Sequence, residues 1–337
     1  MNQRLTQAAI YLSALPVLAA SLLVGPAEAA GPRETLAWLL GWLSRGLPAP
    51  LGETDRLMYA IVMDVRLPRA LLTFLVGLGL SSSGAALQAV FRNPLVDPYI
   101  LGLASGAAMG AALSVWWSWL PLQPSAFAGG LLAVGLSYLL SLNRGQSGVV
   151  GLVLAGVIVS GLFTAGLTVV QFLADPFKLQ TIVHWTMGNL HNASWARTAS
   201  AAGPALLGAG VLVGLGWWLN VLALGDEEAR ASGVNPEWLK VMVVVPATLT
   251  AAAVVAVAGV IGLVGLATPH MVRLMLGPDN RRLIPATAVF GGVFLLLVDD
   301  FSRALFAFEI PIGVFTTIIG GPFFFYLLRR SRLAWSE

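Results

Sequence analysis

Long, continuous apolar runs are the feature of this sequence that most constrains its fold. A membrane-spanning helix needs about 20 mostly apolar residues, and the 337-residue chain contains ten candidate runs. Strict apolar–polar alternation, which is typical of a transmembrane β-barrel, is missing from them. Only 10% of the residues are charged, whereas soluble domains carry about 25%. The sequence therefore predicts an all-α, polytopic membrane protein with about ten transmembrane helices.

The apolar runs follow one another without a linker, so residues 1–337 are predicted to form a single transmembrane domain. The predicted spans are 9–25, 69–91, 98–118, 125–142, 149–173, 197–220, 238–258, 260–277, 284–301 and 311–329. Ala27-Glu28-Ala29 after the first span imitates a signal-peptide cleavage site, but the run is interpreted as a retained first span. Pro269, His270 and Arg273 interrupt the eighth span.

Positive charges in the connections predict the orientation, because cytoplasmic loops carry an excess of Lys and Arg. With the N-terminus inside, eleven of the 19 Lys and Arg residues lie at inner ends of spans. Both termini are therefore predicted to be cytoplasmic. A formal charge of +3 without a basic stripe argues against a nucleic-acid partner.

Several classes of chemistry lack their sequence motifs. The chain has no cysteine, which excludes disulfides and thiolate metal sites. Its two lysines, Lys178 and Lys240, lie outside any glycine-rich phosphate-binding loop, so an ATP-driven process needs an ATPase on another chain. H-E-x-x-H and G-x-S-x-G are absent, which disfavours an intramembrane enzyme, and no bound metal or cofactor is expected. An ion-coupled secondary transporter is the alternative, but it needs carboxylates near the membrane midplane, where the spans have almost none.

A polar stretch at 224–236 separates two long apolar runs. Asp226, Glu227 and Glu228 suit the N-terminus of a helix, Gly233 suits its C-terminal cap, and Pro236 prevents its continuation. The stretch predicts a short helix outside the bilayer. It is either a solvated loop helix or a rigid knob that docks into a partner.

Seven motifs together resemble one family of transporters. They are Arg66-Leu-Pro-Arg69, Gly84-Ala-Ala-Leu-Gln88, Arg92-Asn-Pro-Leu-Val-Asp-Pro-Tyr-Ile-Leu-Gly102, Ala223-Leu-Gly-Asp226, Gly262-Leu-Val-Gly-Leu266, Pro269-His270 and Pro311-Ile-Gly-Val314. In this order, over about residues 55–330, they resemble the membrane permeases of type II ABC importers, which take up vitamin B12, iron-siderophores and haem.

The resemblance implies a homodimer of ten-helix subunits in the bacterial inner membrane. It further implies two cytoplasmic ATPase subunits that bind ATP and Mg, a periplasmic binding protein, and a metal-chelate substrate moved by alternating access. Which of the three substrates is carried stays open.

The resemblance also assigns candidate residues. Arg66, Arg69 and Arg303 would meet acidic residues of the binding protein, although arginines that only anchor the chain at the membrane interface are the alternative. The coupling segment at about 222–236 would dock into the ATPase through Leu224, Gly225, Asp226, Glu227, Glu228, Arg230 and Gly233. Asn93, Pro94 and Leu95 would form the cytoplasmic gate, with a facing element at about 147–150.

The segment at about 174–196 would form the outer mouth of the pathway, with His184, Trp185, Met187, Gly188 and His191. His184 and His191 are seven residues apart and are predicted to share one helix face. Histidine and methionine can ligate haem iron, but ordinary lining residues are the favoured interpretation. Asp299 or Asp300 is predicted to pair with Arg303, because residues three or four apart are neighbours on a helix.

Overall fold

A computed structural model describes residues 3–25, 30–44, 52–143, 146–147, 149–305 and 309–331. The helices are α1 (Gln3–Ser21), α2 (Pro32–Ser44), α3 (Glu53–Tyr59), α4 (Leu67–Phe91), α5 (Leu103–Trp116), α6 (Leu122–Ser141), α7 (Val149–Leu173), α8 (Pro176–Thr186), α9 (Trp195–Gly214), α10 (Gly216–Leu224), α11 (Asp226–Ala231), α12 (Pro236–Ala258), α13 (Val264–Leu276), α14 (Asn280–Ala304) and α15 (Ile312–Ser331). A π-helical segment, Ala60–Arg66, joins α3 to α4. Leu142–Asn143 and Gln146–Ser147 form a two-residue antiparallel pair. The all-α prediction is confirmed.

Each of the ten predicted spans corresponds to helical structure. Six helices in the described part of the chain are long and apolar enough to cross a membrane, namely Glu53–Phe91, Leu122–Ser141, Val150–Leu173, Trp195–Gly214, Pro236–Ala258 and Asn280–Ala304. Leu103–Trp116 and Ile312–Pro322 are shorter apolar helices. The segment 27–29, which imitates a cleavage site, lies outside the described residues.

Three predicted spans need correction. The run 98–118 is helical only from Leu103, because Gly102 adopts a φ of +87° and ends the preceding turn. The run 197–220 is divided at Leu215 into α9 and α10. The run 260–277 is helical only over the thirteen residues of α13, which rise about 20 Å. That is shorter than the hydrocarbon core of about 30 Å, so α13 alone is too short to cross a membrane.

Helices α2 and α3 were not predicted from the sequence, because they are short and carry polar residues. They pack together through an aromatic cluster in which the ring centroids of Trp38 and Trp42 are 5.8 Å apart. Tyr59 meets Trp38 edge-on, and the Trp38 indole donates a hydrogen bond of 3.1 Å to Asp55. These two helices thus form a small structured unit between α1 and α4.

The centre of the fold is α4, which packs against α9, α12, α13 and α14. Two glycines of α4 permit this packing. A Cβ on Gly77 would lie 2.2 Å from the carbonyl oxygen of Gly291, and a Cβ on Gly84 would lie 1.9 Å from the carbonyl oxygen of Gly265. Small residues let helix backbones approach closely in lipid. The helices define two faces: the terminal face, with Gln3, the turn at 92–102 and α11, and the opposite face, with α2, α8 and Glu309.

Candidate functional sites at the two faces

The polar stretch at 224–236 forms the short helix that its sequence predicts. Only six residues, Asp226–Ala231, are helical, so α11 covers less than the predicted coupling segment. Gly225 and Gly233 bracket it with φ values of +148° and +79°, which non-glycine residues rarely adopt. Next, the Asn235 side chain accepts hydrogen bonds from the backbone N–H groups of Glu237 and Trp238 and thereby starts α12. The predicted coupling residues thus form a compact helix–turn–helix at the terminal face.

The outward surface of this unit combines apolar and charged side chains. Leu224 is 71% exposed and Trp238 is 67% exposed. Glu227, Glu228 and Arg230 are exposed beside them. Large exposed apolar residues rimmed by polar ones are typical of protein interaction sites. Trp238 was not predicted to be a surface residue, because the sequence places it at the start of the apolar span 238–258.

Asp226 turns back towards α12 and the end of α4 instead. One carboxylate oxygen lies 2.6 Å from Nζ of Lys240, and the other forms an ion pair with Arg92. Burial acts to raise the pKa of Asp226, but the hydrogen bond and charge of Lys240 and the charge of Arg92 outweigh it, and the pKa is lowered. Asp226 is therefore an ionised link between α11, α12 and the end of α4.

The predicted gate residues lie in the turn that follows α4. Arg92 ends the helix in the left-handed region, with a φ of +49°. The backbone N–H of Asn93 donates to the Gln88 carbonyl at 3.1 Å, and its side chain accepts from the N–H of Leu95 at 2.9 Å. Leu95 is half exposed, and Pro94 stiffens the turn by fixing φ. Of the predicted facing element at 147–150, residue 148 lies outside the described residues.

Gln88 fixes the gate turn to the neighbouring helix α13. Its side-chain amide donates to the carbonyl oxygens of Val96 at 3.2 Å and Leu266 at 3.3 Å. The oxygen of the same amide accepts from Nη2 of Arg273 at 3.0 Å. A buried amide with three hydrogen bonds holds one conformation, so the turn is held from one side by α13 and from the other by α11.

The three arginines predicted to dock a binding protein bind groups within the chain. Arg66 donates to the carbonyl oxygens of Leu22 at 3.0 Å and Ala30 at 2.8 Å and to the Thr35 hydroxyl at 3.0 Å. It is only 4% exposed. Its guanidinium therefore joins the end of α1 to the start of α2 and is not presented on the surface.

Arg69 and Arg303 share one buried carboxylate. Nη2 of Arg69 lies 2.9 Å from Asp299, and Nε of Arg303 lies 3.1 Å from it. Arg303 also pairs with Asp300, which confirms the predicted local ion pair. Nη1 of Arg69 further contacts Glu309 at 3.0 Å. The positive charge of this cluster is largely neutralised within the chain, and the contact with a binding protein stays a prediction.

The predicted mouth segment forms α8 and the turn after it. The Asp175 side chain caps α8 by accepting from the N–H groups of Phe177 and Lys178 at 3.1 Å. His184 and His191 do not share a helix face as predicted, because α8 ends at Thr186 and the chain reverses at Gly188. Gly188 has a φ of +76°, and a side chain there would lie 2.7 Å from a backbone oxygen.

The turn after α8 is fixed to two other segments. The Asn189 N–H donates to the Ala258 carbonyl at 2.6 Å, and the Gly313 N–H donates to the Met187 carbonyl at 3.0 Å. Trp185 is buried among the core residues. The mouth residues thus join α8, the end of α12 and the start of α15, with only the side chains of His184, Met187 and His191 exposed.

Glu309 is a residue of this face that the sequence analysis missed. Its carboxylate lies 2.5 Å from Nδ1 of His191 as well as 3.0 Å from Arg69. Burial acts to raise the pKa of Glu309, but the hydrogen bond of His191 and the charge of Arg69 lower it to about 2. Glu309 therefore connects the mouth turn to α4 by charge.

The Glu309 contacts predict a pH dependence of stability. Because the pKa of Glu309 is lower in the folded protein than its usual value of 4.5, ionised Glu309 stabilises the fold above pH 4.5, and this contribution is lost as the pH falls towards 2. Glu309→Gln is expected to melt at a lower temperature than the parent at pH 7, and the difference should shrink below pH 4.5. Melting curves in detergent at several pH values measure it; a difference that does not change with pH would contradict the assignment.

Within the described residues, no group of three or more His, Cys, Asp or Glu side chains is arranged to hold a metal ion. An open depression of about 440 Å³ lies beside the end of α10 at the terminal face. It is lined among others by Gln3, Asn220, Leu224, Asp279 and Arg282. The depression extends the interaction surface of Leu224 and Trp238 along the same face.

Comparison with known proteins gives a consistent result. The chain is 38% identical over 283 residues to the molybdate import system permease MolB of Haemophilus influenzae, covering 83% of this chain and 84% of that one. It is 41% identical over 302 residues to the cobalamin import system permease BtuC of Halobacterium salinarum, covering 87% and 80%. It is 37% identical over 291 residues to the hemin transport system permease HmuU of Yersinia pestis, covering 83% and 86%.

A solved structure described as an inward-facing conformation of a metal-chelate type ABC transporter has the same fold. The TM-score is 0.84 at 33% identity, covering 96% of this chain and 99% of that one. Residues 13–330 match the FecCD transport family. The chain therefore belongs to the FecCD transport family of permeases.

Proposed function

We propose that this chain is the membrane-spanning subunit of an ATP-driven importer that moves a bulky metal chelate from a periplasmic binding protein into the cytoplasm. The observation that carries the proposal is the exposed helix–turn–helix at the terminal face, which offers a partner an apolar centre and a charged rim. Relatives named for iron chelatin, hemin and cobalamin support an iron-siderophore, haem or cobalamin as substrate. A relative named for molybdate adds that smaller anion as a further candidate.

The partner at the terminal face is proposed to be a cytoplasmic ATPase that binds ATP and Mg. The sequence has no phosphate-binding loop of its own. An ATPase with a cleft of matching shape would enclose α11 and cover Leu224 and Trp238, both of which are largely exposed in the isolated chain. Two such ATPases would serve the two copies of the permease.

A second copy of the chain is proposed to pack near α7. Only 17% of the apolar window of this helix is buried within one chain. Gly161, Thr164, Ala165 and Thr168 are exposed on one of its faces at intervals of three and four residues. Small and polar residues in a spanning helix suit contact with protein or water better than contact with lipid. A pathway between two copies would use this face.

The terminal face is proposed to lie in the cytoplasm of a bacterial cell, with both termini there and the chain in the inner membrane. Charge supports this orientation, because Lys and Arg concentrate on the cytoplasmic side. The basic residues near this face are Arg4, Arg92, Arg230, Lys240, Arg273, Arg281 and Arg282.

The binding protein is proposed to dock at the opposite face. The side chain of Arg69 is 12% exposed, the largest value among the three arginines predicted for docking. A carboxylate of the binding protein would have to compete with Asp299 and Glu309 for its guanidinium, which can bind carboxylates through two parallel hydrogen bonds. Arg66 and Arg303 would support the docking surface indirectly, because they donate to the carbonyl oxygens of Leu22 and Val24 in the segment that follows α1.

Reconstitution tests the proposal directly. The chain, its ATPase and its binding protein are placed in liposomes, and uptake of cobalamin, haem, a ferric siderophore and molybdate is measured with and without ATP. We expect uptake of one of these substrates, and only with ATP and both partners. Uptake in liposomes that lack the ATPase would refute the proposal.

Trp238 provides a more specific prediction for the ATPase surface. Truncating a buried interface tryptophan often costs 2 kcal/mol or more of binding free energy, so Trp238→Ala is expected to weaken ATPase binding about 30-fold or more. Because Trp238 is 67% exposed in the isolated chain, the Trp238→Ala variant should fold like the parent.

The matched control is Trp119→Ala, which removes a tryptophan that is 78% exposed in the turn between α5 and α6. That turn lies at the opposite face, near Lys178 of α8. The two variants and the parent are compared by titrating labelled ATPase onto the purified permease. Equal affinities for Trp238→Ala and Trp119→Ala would show that the ATPase binds elsewhere.

A further inference from the structure

The ATPase surface and the gate turn are separate parts of the terminal face, and one ion pair joins them. Nη2 of Arg92 pairs with a carboxylate oxygen of Asp226, across 134 positions of sequence. Arg92 is the last residue before the gate residues Asn93, Pro94 and Leu95. Asp226 is the first residue of α11. The main packing contacts of α11 are with α10 and α12 instead.

We propose that the Arg92–Asp226 ion pair is the positioning contact through which a displacement of the ATPase-bound α11 reaches the gate turn. This inference rests on the proposed function, because it presumes an ATPase at α11. It divides the coupling residues into two groups. Glu227, Glu228 and Arg230 face outwards to the partner, and Asp226 faces inwards to the gate.

Asp226 is suited to this role because α11 is clamped to the helix that follows it. The second carboxylate oxygen of Asp226 lies 2.6 Å from Nζ of Lys240, whose side chain is 7% exposed. Lys240 also contacts Glu237 at 3.4 Å. The buried ammonium group holds α11 against the first turns of α12, so a force on the exposed side of α11 displaces both together.

Arg92 is suited to receive the displacement because its backbone belongs to a stiff turn. Its left-handed conformation and the hydrogen bonds of Asn93 to Gln88 and Leu95 leave the turn little freedom of its own. Pro94 removes a further soft dihedral. A shift of Asp226 therefore moves the whole turn relative to Gln88, which α13 holds in place.

The Arg92–Asp226 ion pair is exposed enough that a variant without it should still fold. The side chains of Arg92 and Asp226 are 37% and 30% exposed, and ion pairs of this exposure add little to stability. Replacing Arg92 leaves Asp226 still bound to Lys240. A loss of transport in such a variant therefore reports on transmission.

The test uses the assembled importer with Arg92→Gln in liposomes, and measures uptake and ATP hydrolysis in the same sample. We expect the amount of substrate taken up per ATP to fall about five-fold or more, the lower range of coupling between sites in proteins. ATPase binding, the rate of ATP hydrolysis and the melting temperature should stay as in the parent. Arg281→Gln, which removes an exposed arginine of the same face, should leave all four quantities unchanged.

Two results would overturn the inference. One is an unchanged ratio of uptake to ATP hydrolysis in Arg92→Gln, and the other is loss of the ATPase from the complex, which would make the pair part of docking. Failure of the proposed function gives a different result, because the parent importer itself would then show no ATP-dependent uptake.

A cross-linking variant provides a second readout. The sequence contains no cysteine, so Arg92→Cys with Asp226→Cys introduces the only two thiols of the chain. With the thiols free, uptake per ATP should be low; a short, reducible bis-methanethiosulfonate linker should raise it towards the parent value, and reductant should reverse the gain. A linker that joins the two positions, as shown by mass spectrometry, without raising uptake per ATP would contradict transmission through this contact.

Discussion

Asp299→Asn is expected to destabilise the protein by about 1–3 kcal/mol, the cost of leaving buried hydrogen-bonding groups without their partner. The Asp299 side chain is 1% exposed and lies 2.9 Å from Arg69 and 3.1 Å from Arg303. Asparagine retains the shape of the side chain but not its charge. Arg69 would keep Glu309 and Arg303 would keep Asp300, but both arginines would lose the buried carboxylate that they share.

The measurement is unfolding of the purified permease in detergent, by heat or by denaturant. Asp64→Asn is the matched control, because it removes a carboxylate that is exposed near the same end of α4. Surface substitutions usually change stability by less than about 0.5 kcal/mol. If the two variants lose the same stability, the shared carboxylate is not what holds α4 and α14 together.

This cluster also shows how far the sequence can predict such a network. The pairing of Arg303 with Asp299 and Asp300 is local on one helix, and its spacing alone predicts it. The contact of Arg69 with Asp299 joins residues 230 positions apart, and no local pattern indicates it. Glu309 occupies a short connection without any motif, so only the tertiary fold reveals that it lies between His191 and Arg69.

The terminal face gives a similar lesson. Three adjacent acidic residues, Gly233 and Pro236 predict the position of α11, because helix ends have strong local preferences. Those preferences are the same for Asp226, Glu227 and Glu228, however. Which of the three turns inwards is decided by Arg92 and Lys240, whose positions depend on the packing of α4 and α12.

The ten spans were predictable for a different reason. Lipid requires every spanning segment to be apolar and to satisfy its own backbone hydrogen bonds, so length and composition locate each helix. Exceptions arise where neighbouring helices replace lipid. The non-helical residues before α13 are one such case, since Ile261 is buried and its backbone N–H and C=O bond to the Tyr99 hydroxyl.

Gly84→Ala is expected to destabilise the packing of α4 against α13 by about 1–3 kcal/mol or more, as overpacking does in tightly packed interiors. The added methyl group would lie 1.9 Å from the Gly265 carbonyl oxygen and 2.7 Å from its carbon. Both atoms belong to the backbone, so no side chain can rotate away. The two helices would have to separate, and α13 would carry Arg273 away from Gln88 and the gate turn.

Gly135→Ala on α6 is the matched control, because a Cβ there meets no atom within 4 Å. In the helix interior alanine is favoured over glycine by about 0.5–1 kcal/mol, so this variant should be neutral or slightly stabilised. Melting in detergent compares the two variants, and uptake per ATP in the assembled importer reports on the gate.

Because apolar burial gives helices in lipid little reason to associate, close backbone approach at Gly84 must supply much of the stability here. A Gly84→Ala protein that melts and transports like Gly135→Ala would show that it does not.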